Sequence, residues 1–237
     1  MKDSLGDRMK GNYEDRSRTY LLRKTPVIIR VDGKAFHTLT RKAAKPFDVD
    51  IIEAMRGSAI YLASQMQGFK AGYVQSDEAS FLLEDTDTVT TDAWFDNNLQ
   101  KLVSVSASIM TAAFNRSRAF YDYSDRVGLP ANTLPFFDAR AFNIPETEVA
   151  NYFLWRAKDW ERNSVSMYAR SFYSHKTLHG LGRKAVVTKL ESDGHRWDEL
   201  SPTFKNGSWI KRNEEGIIDW DSSVAASYPE ISNWLSK

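Results

Sequence analysis

Val27-Ile28-Ile29-Arg30-Val31-Asp32-Gly33-Lys34-Ala35-Phe36-His37 is the stretch on which the fold turns. Pro26 precedes a β-branched run that ends at an Asp-Gly pair, so the segment reads as a buried strand opening into a turn. Beyond it the apolar period changes. Ile51, Met55, Ala59, Leu62 and Met66 recur at steps of three and four behind Asp48, a candidate N-cap, and predict an amphipathic helix over 48–66. Gly72-Tyr73-Val74-Gln75 and Ala79-Ser80-Phe81-Leu82-Leu83 predict two strands joined tightly through Ser76-Asp77-Glu78. Helical spacing returns over 97–119 through Leu102, Ser106, Ile109, Met110, Ala113 and Phe114. Small residues there, Ser104 and Ser106 to Ser108, predict close packing on a sheet. A strand candidate spans Leu134–Phe142, weakened at its start by Pro135. Pro145, Glu146 and Glu148 then open a long helix to residue 173.

The resulting order is strand, helix, strand, strand, helix, strand, helix. It predicts an α/β fold of the α+β kind: a ferredoxin-like antiparallel sheet, as in polymerase palms, with helices on one face. Asn206-Gly207, between alternating residues of Thr203–Ile210, predicts the turn of a β-hairpin. Residues 1–183 read as the palm-like catalytic domain and 184–237 as a small appended β-rich element.

Composition narrows the function classes. With 237 residues, 42% hydrophobic and 27% charged, the chain can bury a large core and is not disordered. No apolar run approaches the ~18 residues of a membrane span, and the first residues lack a signal-peptide core, so a cytoplasmic protein is expected. The absence of cysteine excludes disulfides, thiolate nucleophiles and Cys-ligated zinc. The net charge of +1 conceals segregation: residues 1–46 carry +7, residues 47–101 carry −7 and residues 154–189 carry +6. Two basic blocks around an acidic one suit an enzyme that handles a polyanion near metal-binding carboxylates, although solvated helix faces produce such runs as well.

Asp32 at a strand end is well placed to hold Mg²⁺, and the N–H groups after Gly33 to cradle a triphosphate; an ordinary Asp-Gly turn looks the same. In the expected topology Asp77 faces Asp32 across adjacent strands, so the two carboxylates could share two divalent ions. Lys45, just before a helix, could reach a phosphate. His175 and His179 have zinc-ligand spacing but no third ligand nearby. Arg170, Lys176, Arg183 and Lys184 suit nucleic-acid phosphates. The tryptophans, Trp155, Trp160 and Trp209 among them, read as packing residues.

Leu5-Gly6-Asp7-Arg8-Met9-Lys10, the 27–37 stretch, Lys45-Pro46-Phe47-Asp48, Gln75-Ser76-Asp77-Glu78 and Phe172-Tyr173-Ser174-His175-Lys176 occur in this order. Together, over residues 5–180, they resemble the tRNA-His guanylyltransferase superfamily, and most closely its bacterial and phage guanylyltransferase-like branch of 3′-to-5′ polymerases. The resemblance implies a palm fold, a homotetramer built as a dimer of dimers, ATP and GTP or other nucleoside triphosphates as substrates, and tRNA as partner. It implies metal ligation of two Mg²⁺ by Asp32, the Gly33 carbonyl and Asp77. Nucleotide-phosphate contacts fall on Gly33, Lys34, Ala35, Phe36, His37 and Ser76, with Lys45 on the triphosphate and Glu78 as a supporting acid.

Glu161-Arg162-Asn163-Ser164-Val165-Ser166-Met167 departs from the family's His-Ile-Asn-Asn-Leu-Tyr-Asn motif, keeping only Asn163. Phe47 stands where some relatives have a polar residue. The departure favours template-directed extension or 5′-end repair of tRNA over single G addition to tRNA-His. A nucleotidyl cyclase-like enzyme and a non-catalytic RNA-binding protein are the competing readings.

Overall fold

A computed structural model describes residues 4–236. Its strands are β1 (Val27–Gly33), β2 (Phe69–Gln75), β3 (Glu78–Leu83), β4 (Phe137–Asn143), β5 (Ser208–Arg212) and β6 (Ile218–Asp221). The longer helices are α1 (Val49–Gln65), α2 (Leu99–Arg116), α3 (Arg118–Val127), α4 (Glu146–Arg170), α5 (Arg183–Ser192) and α6 (Tyr228–Ser236). The strands form one antiparallel sheet in the order β4-β1-β3-β2-β5-β6. Its first four members have the ferredoxin-like order expected from the sequence.

Alternation along β1 divides the core into two layers. Val27, Ile29 and Val31 point into one layer, where Met55 and Leu62 of α1 and Leu102, Met110 and Phe114 of α2 meet them. Ile28 points into the other, among Tyr73, Leu82, Phe153, Trp160 and Trp209. The expectation of helices on one face is therefore corrected. It holds for α1, α2 and α3, but α4 and α6 cover the opposite face, because that face also carries large apolar side chains that would otherwise stay wet.

Three further readings are amended. Helical structure at 97–119 divides at Ser117, whose φ/ψ of −64°/131° ends α2 and begins α3. Asn206-Gly207 does not turn the C-terminal hairpin: Pro202–Asn206 is a short helix that Gly207 terminates. The β5–β6 turn lies at Asn213–Gly216, where the Asn213 N–H donates to the Ile217 carbonyl (2.8 Å). Residues 184–237 contribute α5 and α6 as well as strands, and β5 pairs directly with β2, with Gly72 opposite Ile210. A Cβ at Gly72 would lie 2.7 Å from the Ile210 side chain. Among the described residues no helix is long and apolar enough to cross a membrane.

Candidate active site

The alternation that sends Ile28 into the α4 layer also places Arg30 and Asp32 on that face, at the end of β1. Register puts Asp32 opposite Glu78 on β3 and opposite Asp138 on β4. Asp77 is one residue away, in the β2–β3 turn, where Ser76 takes a positive φ of 49° and its hydroxyl donates to Asp77 Oδ1 (2.8 Å). The Gly33 N–H donates to the Asp77 carbonyl (2.9 Å), which ties the turn to the end of β1. Asp32 and Asp77 are thus brought together at one corner of the sheet.

Burial, then the charges of Asp77 and Asp138, push the Asp32 carboxyl above its ordinary value, against the opposing pull of Arg140 and Arg30. Arg140 stands 4.0 Å from Asp32 and 3.5 Å from Asp138. Among the described residues no three His, Asp or Glu side chains converge as a ready metal cage. Mutually repelling carboxylates nevertheless fit Mg²⁺, which takes one or two carboxylates and completes its shell with water and substrate phosphates.

Glu78 is buried. Its Oε1 accepts from Arg156 Nε (2.8 Å), and Arg30 Nε lies 3.9 Å from Oε2. Burial raises the Glu78 carboxyl despite these two arginines. Its role in the fold is to anchor α4 to β3 beside Asp77.

A cleft of about 490 Å³ opens next to this corner. One wall is the turn after β1, through Gly33, Ala35, Phe36 and His37; the other holds Lys45, Ser76 and Asp77. Gly33 is required there because a Cβ would lie 2.4 Å from the Phe36 ring. That ring packs in the core on Phe114 (5.4 Å) and Phe137 (5.1 Å), so Phe36 anchors the turn. Asp32, Lys34 and Glu78 do not line the cleft, and the Lys34 N–H is committed to the Phe136 carbonyl (2.8 Å).

Asp48 does not cap α1 with its side chain. It accepts instead from the Ala44 N–H (2.7 Å) and from Arg126 Nη2 (2.8 and 2.9 Å), which fixes the loop carrying Lys45. The cleft floor is apolar: Phe47 stacks on Phe204 at 4.6 Å and 7° and leans on Trp160. Arg170 closes the far end and also lines a side cavity of about 240 Å³ with His175 and His179, whose rings are 5.8 Å apart.

Half of the basic 154–189 block is paired with carboxylates, Arg156 in the interior and the others at the surface. Arg156 and Arg162 pair with Asp159, Arg183 with Glu161 and Lys189 with Asp193, whereas Arg170, Lys176 and Lys184 have no carboxylate partner among the described residues. Sequence reasoning missed Asp138, Arg140, Arg30 and Arg156 because their relevance depends on strand and helix register. Period-two spacing of Arg30 with Asp32, and of Asp138 with Arg140, was the available signal. Trp160 and Trp209 are buried as expected, but Trp155 is 53% exposed, which corrects its reading as a packing residue.

Residues 6–145 match the family model described as Thg1: tRNAHis guanylyltransferase. A bacterial tRNA(His) guanylyltransferase (Thg1)-like protein in complex with ATP superposes with a TM-score of 0.87 at 41% identity, covering 98% of both chains. A bacterial Thg1-like protein in complex with GTP gives 0.78 at 36% identity, again over 98% of each. The tRNA(His) guanylyltransferase of Schizosaccharomyces pombe is 31% identical over 61% of this chain and 53% of its own length. With more than half of its length matched by the family model, and with a cleft beside paired carboxylates, this chain belongs to the Thg1 family of tRNA-His guanylyltransferases and is a nucleotidyltransferase.

Proposed function

We propose that the protein is a Mg²⁺-dependent 3′-to-5′ nucleotidyltransferase that extends or repairs the 5′ end of tRNA under template direction, after activation of that end with ATP or GTP. The observation that carries this reading is the adjacency of the Asp32–Asp77 corner to the cleft lined by Gly33 to His37, Lys45 and Ser76. The relatives solved with ATP and with GTP support nucleoside triphosphate as the cleft's occupant. An apolar floor of Phe47, Trp160 and Met167 suits a base, and Lys45 and the β1 turn suit its phosphates.

Asp32, the Gly33 carbonyl and Asp77 would hold the Mg²⁺ ions, which when bound supply charge neutralisation at the phosphates and a more acidic attacking hydroxyl. The chain's own side chains do the rest. Ser76 fixes the Asp77 carboxylate through its hydroxyl, and the Gly33 N–H holds the turn in place. Lys45 opposes the triphosphate charge from a loop braced by Asp48 and Arg126. Glu78 and Arg156 keep α4 in register with the corner. The working assembly is a homotetramer in this reading.

Templated addition is favoured over single G addition by how the 161–167 stretch is used. Glu161 accepts from Arg183 (2.6 Å), while Ser164 donates to the Phe204 carbonyl (2.6 Å) and accepts from Trp197 Nε1 (2.9 Å). Glu161 and Ser164 are thereby engaged by the fold, and of this stretch Met167 faces the cleft. The test is addition to 5′-truncated tRNA transcripts that differ only in the base opposite the vacant position. Incorporation that follows the opposing base is expected. G added to tRNA-His alone, whatever stands opposite, would refute the templated reading.

A further inference from the structure

A nucleotide-adding reaction brings two substrates to the same carboxylates, and the cleft described above accommodates one of them. The cleft lies on the β2–β3 side of the corner. On the other side, toward edge strand β4, the surface carries a second feature that the nucleotide reading does not use. Trp155 on α4 leaves about half its surface in water, while Trp160, five residues on, is buried. The exposed ring is nonetheless held. The Arg156 guanidinium lies 4.2 Å from its centroid, the Arg30 guanidinium 5.9 Å, and Tyr152 meets it edge-on at 5.9 Å and 71°. A tryptophan braced in this way presents a rigid aromatic surface at little further entropic cost.

Its neighbours connect it to the carboxylates. Arg30 faces Arg140 in the β1–β4 register, and Asp32 faces Asp138 two residues along, roughly 7 Å of strand. Arg140 is half-exposed, with 3.5 Å as its shorter carboxylate approach, so its guanidinium keeps donors free. Among the described residues Arg30 Nε is buried without a hydrogen-bond partner, its nearest carboxylate oxygen being 3.9 Å away. An aromatic plane, a loosely paired arginine and the acidic corner therefore follow one another along the β4 edge.

Resting on the function proposed above, we propose that Trp155 is the stacking platform for the terminal base at the 5′ end of the RNA, with Arg140 meeting the adjoining phosphate. Stacking on an open ring tolerates every base, which suits an end whose identity varies from one RNA to the next. The ledge is open and one-sided, so a free nucleotide would gain too little there. A nucleotide tethered to a large RNA already held by other contacts arrives at high effective concentration.

The experiment uses the full chain, 5′-truncated tRNA transcripts and nucleoside triphosphate, with Trp155→Ala, Trp155→Leu and Trp155→Phe. Trp155→Ala and Trp155→Leu are expected to raise the KM for RNA roughly 5- to 150-fold, with the KM for triphosphate held within about twofold. Trp155→Phe, which keeps a ring, is expected to restore most of the loss. Tryptophan emission of the wild type is expected to be quenched by RNA more than that of Trp155→Phe. The proposal is overturned if Trp155→Leu leaves the KM for RNA unchanged, or if the triphosphate KM rises in its place. A wild type that adds no nucleotide to RNA refutes the proposed function. Quenching, which needs no turnover, then decides the platform separately: equal quenching of wild type and Trp155→Phe overturns it.

Discussion

Replacing Arg156 by Met removes the cation that holds Glu78 and leaves the carboxylate in place. Arg156 Nε donates to Glu78 Oε1 at 2.8 Å and Nη2 to Asp159 at 2.9 Å, and the Arg156 and Glu78 side chains are both nearly buried. Two charge-assisted hydrogen bonds are lost, and Glu78 becomes a buried charge left with a long hydrogen bond from Gln75 Nε2 (3.5 Å) and with Arg30 3.9 Å away. Breaking such a pair costs about 3–5 kcal/mol. Adding Glu78→Gln removes the stranded charge, so the double variant should recover about 0.5–3 kcal/mol of coupling.

The pH dependence follows from the direction of the Glu78 shift. Burial raises its carboxyl even with Arg156 and Arg30 present, and losing Arg156 raises it further. For an acid whose folded value lies above its unfolded value, the penalty is absent below the unfolded value. It grows as pH rises from there and is complete above the folded value. The Arg156→Met deficit should therefore be larger at about pH 8 than at about pH 5. Urea unfolding followed by far-ultraviolet circular dichroism at both values measures it. A single-variant loss under about 0.5 kcal/mol, or a deficit that grows on acidification, would refute the assignment of Glu78 as an arginine-held buried acid.

Three other outcomes follow from the packing and the cleft. Trp209 is fully buried against Tyr73, Phe153 and Trp234, so Trp209→Ala should cost about 3–5 kcal/mol in urea melts and shift the whole transition, because β5 is hydrogen-bonded to β2. Lys45→Ala should raise the KM for triphosphate roughly 10-fold or more, the worth of a charge-assisted hydrogen bond, with thermal stability unchanged. Asp85 is buried, which works against its charge. The Arg23 guanidinium (2.6 Å) and the Lys24 N–H (2.8 Å) outweigh that and hold its carboxyl below the usual range. Its contribution is complete above the ordinary carboxylate value of about 4 and is lost as pH falls through the lower folded value, so acid melts of Asp85→Asn should lack that step.

Legibility in the sequence followed the range of the interactions. The 27–37 stretch was readable because strand, carboxylate and glycine turn are contiguous, and Gly33 proves necessary for the close approach of the Phe36 ring. The first four strands were readable from β-branched and apolar runs and the turn residues that bound them. The second helical layer was not, since nothing in Trp160 or Phe153 says which sheet face they cover. Asn206-Gly207 has hairpin chemistry, yet Pro202 and the burial of Trp209 placed the turn later, at Asn213–Gly216. Asp138 and Arg140 join the site only through β1–β4 register, and Arg156 reaches Glu78 across 78 residues. The charge block over 154–189 overstated the free positive surface, because local carboxylates consume half of it.

The proposed activity requires Asp77, paired with Asp32, for nucleotide addition at a 5′ RNA end. The most direct test follows transfer of a labelled nucleotide to a 5′-truncated tRNA by the wild type and by Asp77→Ala, each with Mg²⁺ and with excess chelator. Mg²⁺-dependent addition by the wild type, with no product from an Asp77→Ala variant that melts like the wild type, is the expected result. Addition by Asp77→Ala at the wild-type rate would contradict that role of Asp77.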